Sequence, residues 1–399
     1  MSGVFREDLC TCCGECFTRC QYMDLSRREA VLEISRLIEG KPTRHVMQKC
    51  VSCYACDAFC PENANPYDLI LSRWSGRYSE RGLPVRASYL LPYHQPNYRT
   101  DMVPEMDPEE QEMLEHWQNT APQGEFMYPG CNLMTLPALT RVSALAGLPV
   151  AGDWSLCCGE PFYRMGAFEI VEKIARSLDR YYRGRDIKKV VFPCPACMNM
   201  FRNVLPRFGA GFEFECEYLA VWLLKRMDAG ELSISRKLDR TVTVHDSCHA
   251  RVLGDEIMET TRELYQRLGL RVINPKHHHE DGICCGIAAG CNRMMPHDIV
   301  KVSLRELKEG SATGASEMAV YCGGCYLVMN MSRRFYPGAP RLVHTLELLA
   351  EALGEPVFRK VETRSGKILS NVVKKAVPKM LVPSRYKLEE PEVKKPETG

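Results

Sequence analysis

The chain of 399 residues has no surplus of charge in either sign. Lys plus Arg number 52 and Asp plus Glu number 50, a net charge of +2. That balance gives no basis for a nucleic-acid partner or for bulk electrostatic docking. No apolar run is long enough to span a bilayer, and no apolar signal region precedes Cys10. A cytoplasmic location is therefore expected, with any membrane association made through a partner. No Gly-rich nucleotide fingerprint stands before a clear strand–helix unit, so neither a flavin nor a nicotinamide site is expected. Hydrophobic content is 45% and charged content 26%, ordinary values for a globular chain. The length suits two or three domains.

Cysteine is what the chain has in excess, with 21 residues. A reducing compartment and an ample apolar core both argue against a disulfide framework. The cysteines instead fall into four groups that hold 18 of the 21. The first is Cys10, Cys13, Cys16 and Cys20. The second is Cys50, Cys53, Cys56 and Cys60, followed by Pro61. Both runs have the C-x2-C-x2-C-x3-C spacing of two-cluster ferredoxins, in which the fourth thiolate serves the other cluster. The expected ligand sets are thus Cys10, Cys13, Cys16 with Cys60, and Cys50, Cys53, Cys56 with Cys20, for two cubane 4Fe-4S clusters. Gln21 stands where the first run would carry its proline. Zinc is the alternative occupant; two complete ferredoxin runs argue against it.

The other two groups repeat one pattern: a single Cys, an adjacent Cys-Cys-Gly and a CxxC. They are Cys131, Cys157, Cys158, Cys194 and Cys197, then Cys248, Cys284, Cys285, Cys322 and Cys325. A shift of 128 positions maps Cys194 to Cys322 and Cys197 to Cys325. The shift from Cys131 to Cys248 is 117, so the first copy is shorter in its opening half. Such self-similarity marks an internal duplication. Gly159 and Gly286 are read as allowing close backbone approach to a bulky group. CxxC at a strand end before a helix places thiolates near a positive helix terminus.

The organisation follows from these groups. Residues 1–75 form an α-helical ferredoxin module, with helices expected over Leu25–Glu39 and Leu69–Trp74. Residues 76–124 form a Pro-punctuated linker that wraps a neighbouring domain, with one short helix at Asp107–Gln118. Residues 125–235 and 236–353 are two α/β domains with mostly parallel sheets. The first is expected to carry strands at Phe126–Tyr128, Val190–Phe192 and Phe212–Phe214, with helices over Leu133–Leu145, Phe162–Tyr182, Met198–Phe208 and Leu219–Lys225. The second is expected to carry strands at Val242–Val244, Met318–Tyr321 and Leu342–His344, with helices over Ile257–Leu268, Ile299–Leu307 and Leu346–Leu353. Residues 354–399 read as a basic tail, suited to docking or simply solvated, that ends in a disordered Glu/Lys/Pro stretch.

The pattern C…CCG…CxxC, twice, with His245-Asp246-Ser247-Cys248-His249 before the second copy, resembles the CCG-domain proteins typified by the B subunit of heterodisulfide reductase. The N-terminal module resembles its C subunit. A chain with both in this order resembles the fused D-type subunit, over nearly everything from Cys10 to about residue 353. That resemblance implies a noncubane 4Fe-4S cluster on each five-cysteine set, with zinc in one set as the alternative. It implies that a disulfide is cleaved between the two sets, or a thiol pair oxidised there. It also implies an electron-donating flavoprotein resembling the A subunit, or a cytochrome b membrane subunit, as partner. CCG proteins also serve as relays without a substrate of their own, as in glycolate oxidase, the sulfite-reduction membrane complex and tungsten-type aromatic acyl-CoA reductase. Cys12, Cys216 and Cys291 are left without ligand roles. His249, His344 and Cys216 are candidates for contacts behind the ligands. His277, His278 and His279 read as a loop rather than a metal site.

Overall fold

The computed structural model describes residues 5–293 and 295–387. Its N-terminal part is helical. Helix α1, Arg27–Ile38, starts at Ser26, whose hydroxyl accepts from the Glu29 N–H while the Glu29 carboxylate accepts from the Ser26 N–H at 2.9 Å. This capping box satisfies two otherwise unpaired donors. Ala30, Ile34 and Leu37 then form one buried stripe. Helix α2, Pro66–Arg81, has proline at its first position, where no N–H is needed. It buries Leu69, Ile70 and Trp74. Two short turns, Glu15–Thr18 and Ala55–Ala58, carry Cys16 and Cys56.

The body holds two parallel sheets. In the first, β1 (Gly124–Met127), β2 (Ile187–Phe192) and β3 (Glu215–Tyr218) lie in the order β1-β2-β3. In the second, β4 (Arg240–His245), β5 (Leu270–Ile273), β6 (Glu317–Val320) and β7 (Arg341–His344) lie in the order β5-β4-β6-β7. The corresponding central strands are β2 and β6. Each leaves its sheet two residues before the first cysteine of a CxxC, at Cys194 and Cys322. Cys131 and Cys248 likewise follow the carboxyl ends of β1 and β4. Ligands of open parallel sheets sit outside these ends. The chain is thus α/β with a helical N-terminal module, as expected from the sequence.

Three expected elements differ. Leu133–Leu145 is not a helix. It breaks into the tight turns Pro137–Thr140 and Ser143–Leu145, because Pro137 lacks a donor and the Thr135 and Thr140 hydroxyls bond to the carbonyls of Asn132 and Pro137. A single parallel bridge, Met127 to Val150, follows. The second copy uses a full helix (Asp255–Arg267) and strand β5 in this place, which accounts for the shorter opening half of the first copy. Phe212–Phe214 is not a strand either. Its rings pack on Phe201 and Tyr182, and pairing starts only at Glu215. Phe162–Tyr182 is interrupted after Arg164 and resumes at Phe168.

The linker and the tail clasp each other. Residues 108–119 form a helix (Pro108–Asn119), capped by Asp107. The basic tail contains a helix unforeseen from sequence, Val361–Lys375. Lys360 pairs with Asp107 and Lys375 with Asp101, each at 2.5 Å, and Lys367 pairs with Glu105. At the centre, Arg364 binds Glu110 through two bonds of 2.8 and 2.6 Å. Arg385–Tyr386 then pairs antiparallel with Leu83–Pro84. The positive charge of the tail is therefore matched by the acidic linker. The terminal Glu/Lys/Pro stretch expected to be disordered lies outside the described residues.

The Arg364–Glu110 pair is nearly inaccessible at both ends, 4% and 1% exposed. Removing one member of such a pair strands a buried charge. Glu110→Ala is expected to cost about 3–5 kcal/mol in denaturant unfolding, and Lys360→Ala, at an exposed pair, under about 1 kcal/mol. Equal losses for the two variants would contradict this account of the clasp.

Candidate iron–sulfur sites

The ten cysteines of the duplicated pattern meet between the two sheets. All ten are buried and none forms a disulfide. Their sulfurs form one continuous run of contacts: Cys131 to Cys157, Cys158, Cys197 and Cys194, then across to Cys322, Cys325, Cys285, Cys284 and Cys248. The order within the second half mirrors the first. Cys158 and Cys197 are 3.9 Å apart, and the two halves touch at Cys194 and Cys322, 3.4 Å apart.

Local structure aims these side chains. Cys194 and Cys322 cap their helices with matching backbone angles, φ −128°, ψ 118° and φ −132°, ψ 122°. Cys197 and Cys325 follow within the first turn. The glycines after the paired cysteines are left-handed, φ +74° at Gly159 and φ +98° at Gly286. A Cβ would fall 2.7 Å from Ile174 Cδ1 at Gly159 and 2.3 Å from the Ile299 carbonyl oxygen at Gly286. These glycines therefore let the turn press against a neighbouring helix, a different reason from the one expected. The Cys248 loop is pinned by Asp246, whose carboxylate accepts from Arg262 at 2.9 and 2.7 Å, from Tyr321 at 3.1 Å and from the His279 N–H at 2.7 Å.

Electrostatics repeats the symmetry. Bonds from Cys157 and Cys197 pull the Cys158 thiol down to about 6; bonds from Cys284 and Cys325 do the same to Cys285. The symmetry ends at the seam, where hydrogen bonding with Cys194, together with burial, pushes Cys322 up to about 12 while bonds from Cys197 and Cys322 lower Cys194. The first cysteine of each set has a buried arginine. Arg164 Nη2 donates to Cys248 Sγ at 3.0 Å, and Arg99 bonds Cys131. Burial works against charge on Glu160, but Arg164 and His249 hold it down to about 2. Glu160 Oε1 lies 2.5 Å from Arg164 Nε and 2.9 Å from His249 Nε2. His245, placed by the Glu306 carboxylate at 2.8 Å, lies within 4.8 Å of the Cys285 and Cys325 sulfurs. Tyr128, three residues before Cys131 as His245 is before Cys248, holds the matching place in the first copy.

The N-terminal cysteines form two further groups. Cys16 faces Cys10, Cys13 and Cys60. Cys20 faces Cys53, and Cys50 faces both. Cys56 adjoins Cys50 and Cys53, with Cys16 on its other side. The fourth cysteine of each run thus lies beside the other run. The second group abuts the second five-cysteine set. Arg251 donates to the Cys53 carbonyl at 2.9 Å, the Cys284 N–H donates to Tyr22 Oη at 2.8 Å, and Arg164 binds the Ser52 carbonyl. Tyr54 lies beside His249, ring centroids 5.0 Å apart, with Arg164 over its face.

The unassigned residues separate. Cys12 bonds Cys10. Cys216 sits in β3 opposite Val190, away from the other thiols. Cys291 lines the cavity between the sheets. His344 caps the helix Thr345–Leu353, and His277 pairs with Glu309 and His279 with Glu259. Sequence reading missed Arg99, Glu160, Arg164 and Arg251, because isolated charged residues carry no spacing signal until the fold buries them.

Cysteine-rich donor sets free of disulfides fit iron–sulfur clusters by their chemistry. Comparison with known proteins agrees. The model of the CCG cysteine-rich domain matches residues 126–202 and again 242–330. The chain thus carries two copies of this domain. It is homologous to the D-type subunit of the dihydromethanophenazine:CoB–CoM heterodisulfide reductase of Methanosarcina mazei, 23% identical over 87% of this chain and 94% of the relative. The corresponding Methanosarcina barkeri protein is 27% identical over 56% of this chain and 57% of the relative. A Bacillus subtilis protein named as a probable iron-sulfur-binding oxidoreductase is 26% identical over 45% of this chain and 25% of its own length. The resemblance drawn from the cysteine spacing is therefore correct, and the CCG chain stands among iron–sulfur oxidoreductase subunits. Among the described residues, no helix is long and apolar enough to cross a membrane.

Arg164→Leu is expected to leave Glu160 buried without its main partner and to destabilise the protein by about 3–5 kcal/mol. Because Arg164 also binds the Ser52 carbonyl, limited proteolysis should release the N-terminal module sooner. Unchanged unfolding and cleavage would show that Arg164 does not join the two parts.

Proposed function

We propose that this chain is the iron–sulfur subunit of a heterodisulfide-reductase-like complex. It accepts electrons at the eight-cysteine module and delivers them to a disulfide in the cavity beside the two five-cysteine sets, or takes them from a thiol pair there. The observation that carries this reading is the mirror-related run of ten sulfurs, two matched sets meeting at Cys194 and Cys322. A single relay site has no need of two such sets face to face.

Cys10, Cys13, Cys16 and Cys60 would hold one cubane cluster, and Cys20, Cys50, Cys53 and Cys56 the other. Cys131, Cys157, Cys158, Cys194 and Cys197 would hold one noncubane cluster, and Cys248, Cys284, Cys285, Cys322 and Cys325 the second. When bound, such clusters supply one-electron transfer and iron with affinity for sulfur. The protein's own groups do the rest. Burial excludes water from the ten thiolates. Arg99 and Arg164 offset their negative charge at the two ends of the run. Arg251 and Tyr22 close the contact between the second N-terminal group and the Cys248–Cys284 end. Cleavage of R–S–S–R′ consumes two electrons and two protons and yields two thiols. A flavoprotein or a cytochrome b subunit is the partner class that would supply the electrons. The chain's relatives are named as subunits of larger reductases, in keeping with a partner.

Anaerobic purification followed by iron, sulfide and EPR measurement tests this. About sixteen iron atoms per chain are expected from four four-iron clusters, with a paramagnetic signal induced by added thiol. Full iron with no thiol response would favour a relay without its own substrate. About eight irons with bound zinc would overturn the two noncubane sites.

A further inference from the structure

The two five-cysteine sets differ at one position beside their sulfurs. His245 closes strand β4, and its side chain is fully buried. Nδ1 is committed to the Glu306 carboxylate at 2.8 Å, on the helix Pro296–Ala312. Nε2 is buried and has no hydrogen-bond partner among the described residues. A buried polar atom left unpaired is costly. Nε2 is accounted for if it binds a group that the polypeptide holds rather than the polypeptide itself.

Sulfur is what lies nearby. His245 offers a ring nitrogen within 4.8 Å of Cys285 Sγ and Cys325 Sγ, and the two sulfurs are equally close to each other. One imidazole nitrogen with two thiolates is a common metal donor set. The Glu306 pair supports that role. A carboxylate that accepts from Nδ1–H leaves the lone pair on Nε2, as is found behind metal-bound histidines.

The first set has no such donor. Tyr128 holds the matching place, beside the matching sulfurs of Cys158 and Cys197, but its hydroxyl donates to the Leu156 carbonyl at 2.6 Å. His249, which follows Cys248, has both nitrogens engaged. Nδ1 meets the Asn199 amide at 3.2 Å, and Nε2 lies between Glu160 and Arg164. Of these two histidines, His245 has the free nitrogen.

We propose that His245 is a metal ligand through Nε2, joining Cys285 and Cys325 in the second set. The second set is then a mixed nitrogen–sulfur site, and the first an all-sulfur site. Glu306 is the positioning residue that fixes the ring. The inference rests on the reading of the second set as a cluster site. It requires no particular substrate.

The test uses full-length, cluster-loaded protein grown with isotopically labelled histidine and the Mössbauer isotope of iron. Pulsed EPR of the reduced or thiol-treated protein is expected to show coupling to histidine nitrogen, lost in His245→Gln and kept in His249→Gln. Mössbauer spectra of the resting protein read the same bond without a paramagnetic signal. One iron in about sixteen should carry nitrogen, and that component should change in His245→Gln. Glu306→Gln keeps a weaker acceptor for Nδ1–H. It should retain the coupling at altered size, a reading available even where His245→Gln fails to fold. Identical spectra in wild type and His245→Gln, or an unaltered coupling in Glu306→Gln, would overturn the ligand and leave the four-cluster reading standing. About eight irons with bound zinc would overturn the cluster reading itself. Full retention of that zinc in His245→Gln would then overturn the ligand as well, and its loss would support it.

Discussion

The continuous contact among ten buried sulfurs is the constraint on which the architecture depends. Ten thiols from two α/β units converge at the carboxyl ends of two parallel sheets, and they touch across the seam at Cys194 and Cys322. Packing that many ionisable groups into a dry space is unfavourable unless cations accompany them. Buried arginines supply part of that compensation. Arg99 arrives from the linker and Arg164 from the first unit, and each meets the first cysteine of one set. The two sets are thus related by duplication, while the charges that serve them are not.

The same arginines tie the parts of the molecule together. Arg164 reaches Cys248 Sγ, Glu160, His249 and the Ser52 carbonyl at once. Arg251 spans from the second unit to the Cys53 carbonyl. A buried guanidinium with several acceptors fixes orientation as well as charge, since its donors lie in a rigid plane. These contacts hold the N-terminal module against both units, at the Ser52 carbonyl through Arg164 and at the Cys53 carbonyl through Arg251, and Tyr22 adds a contact to the Cys284 N–H. The clasp between linker and tail works by similar means, with Arg364 and Glu110 at its centre.

Much of this was legible in the residue order because cysteine spacing is a dense signal. The ferredoxin runs, the duplication and the parallel α/β units could be read directly, as could α1, most of the strands and the helix at Pro108–Asn119. The misreadings have local causes. Leu133–Leu145 has helical hydrophobicity, but Pro137 and the two threonines divert its backbone hydrogen bonds. Phe212–Phe214 has strand-like composition, but its rings serve an aromatic cluster with Phe201 and Tyr182. The helix Val361–Lys375 was hidden by its charge, which reads as a solvated tail until its acidic partners, far earlier in the chain, are brought alongside.

By itself the sequence showed four cysteine groups and their spacing, because that spacing is a local pattern along the chain. It also determined the fold class, because strand and helix periodicities alternate through the duplicated region. Only the tertiary structure decided how the two five-cysteine sets face each other, which buried arginines answer their charge, and what closes the cavity opposite them. Those features join residues from the linker, both units and the tail. Their physical basis is burial and charge pairing across long sequence separations, for which no local pattern exists.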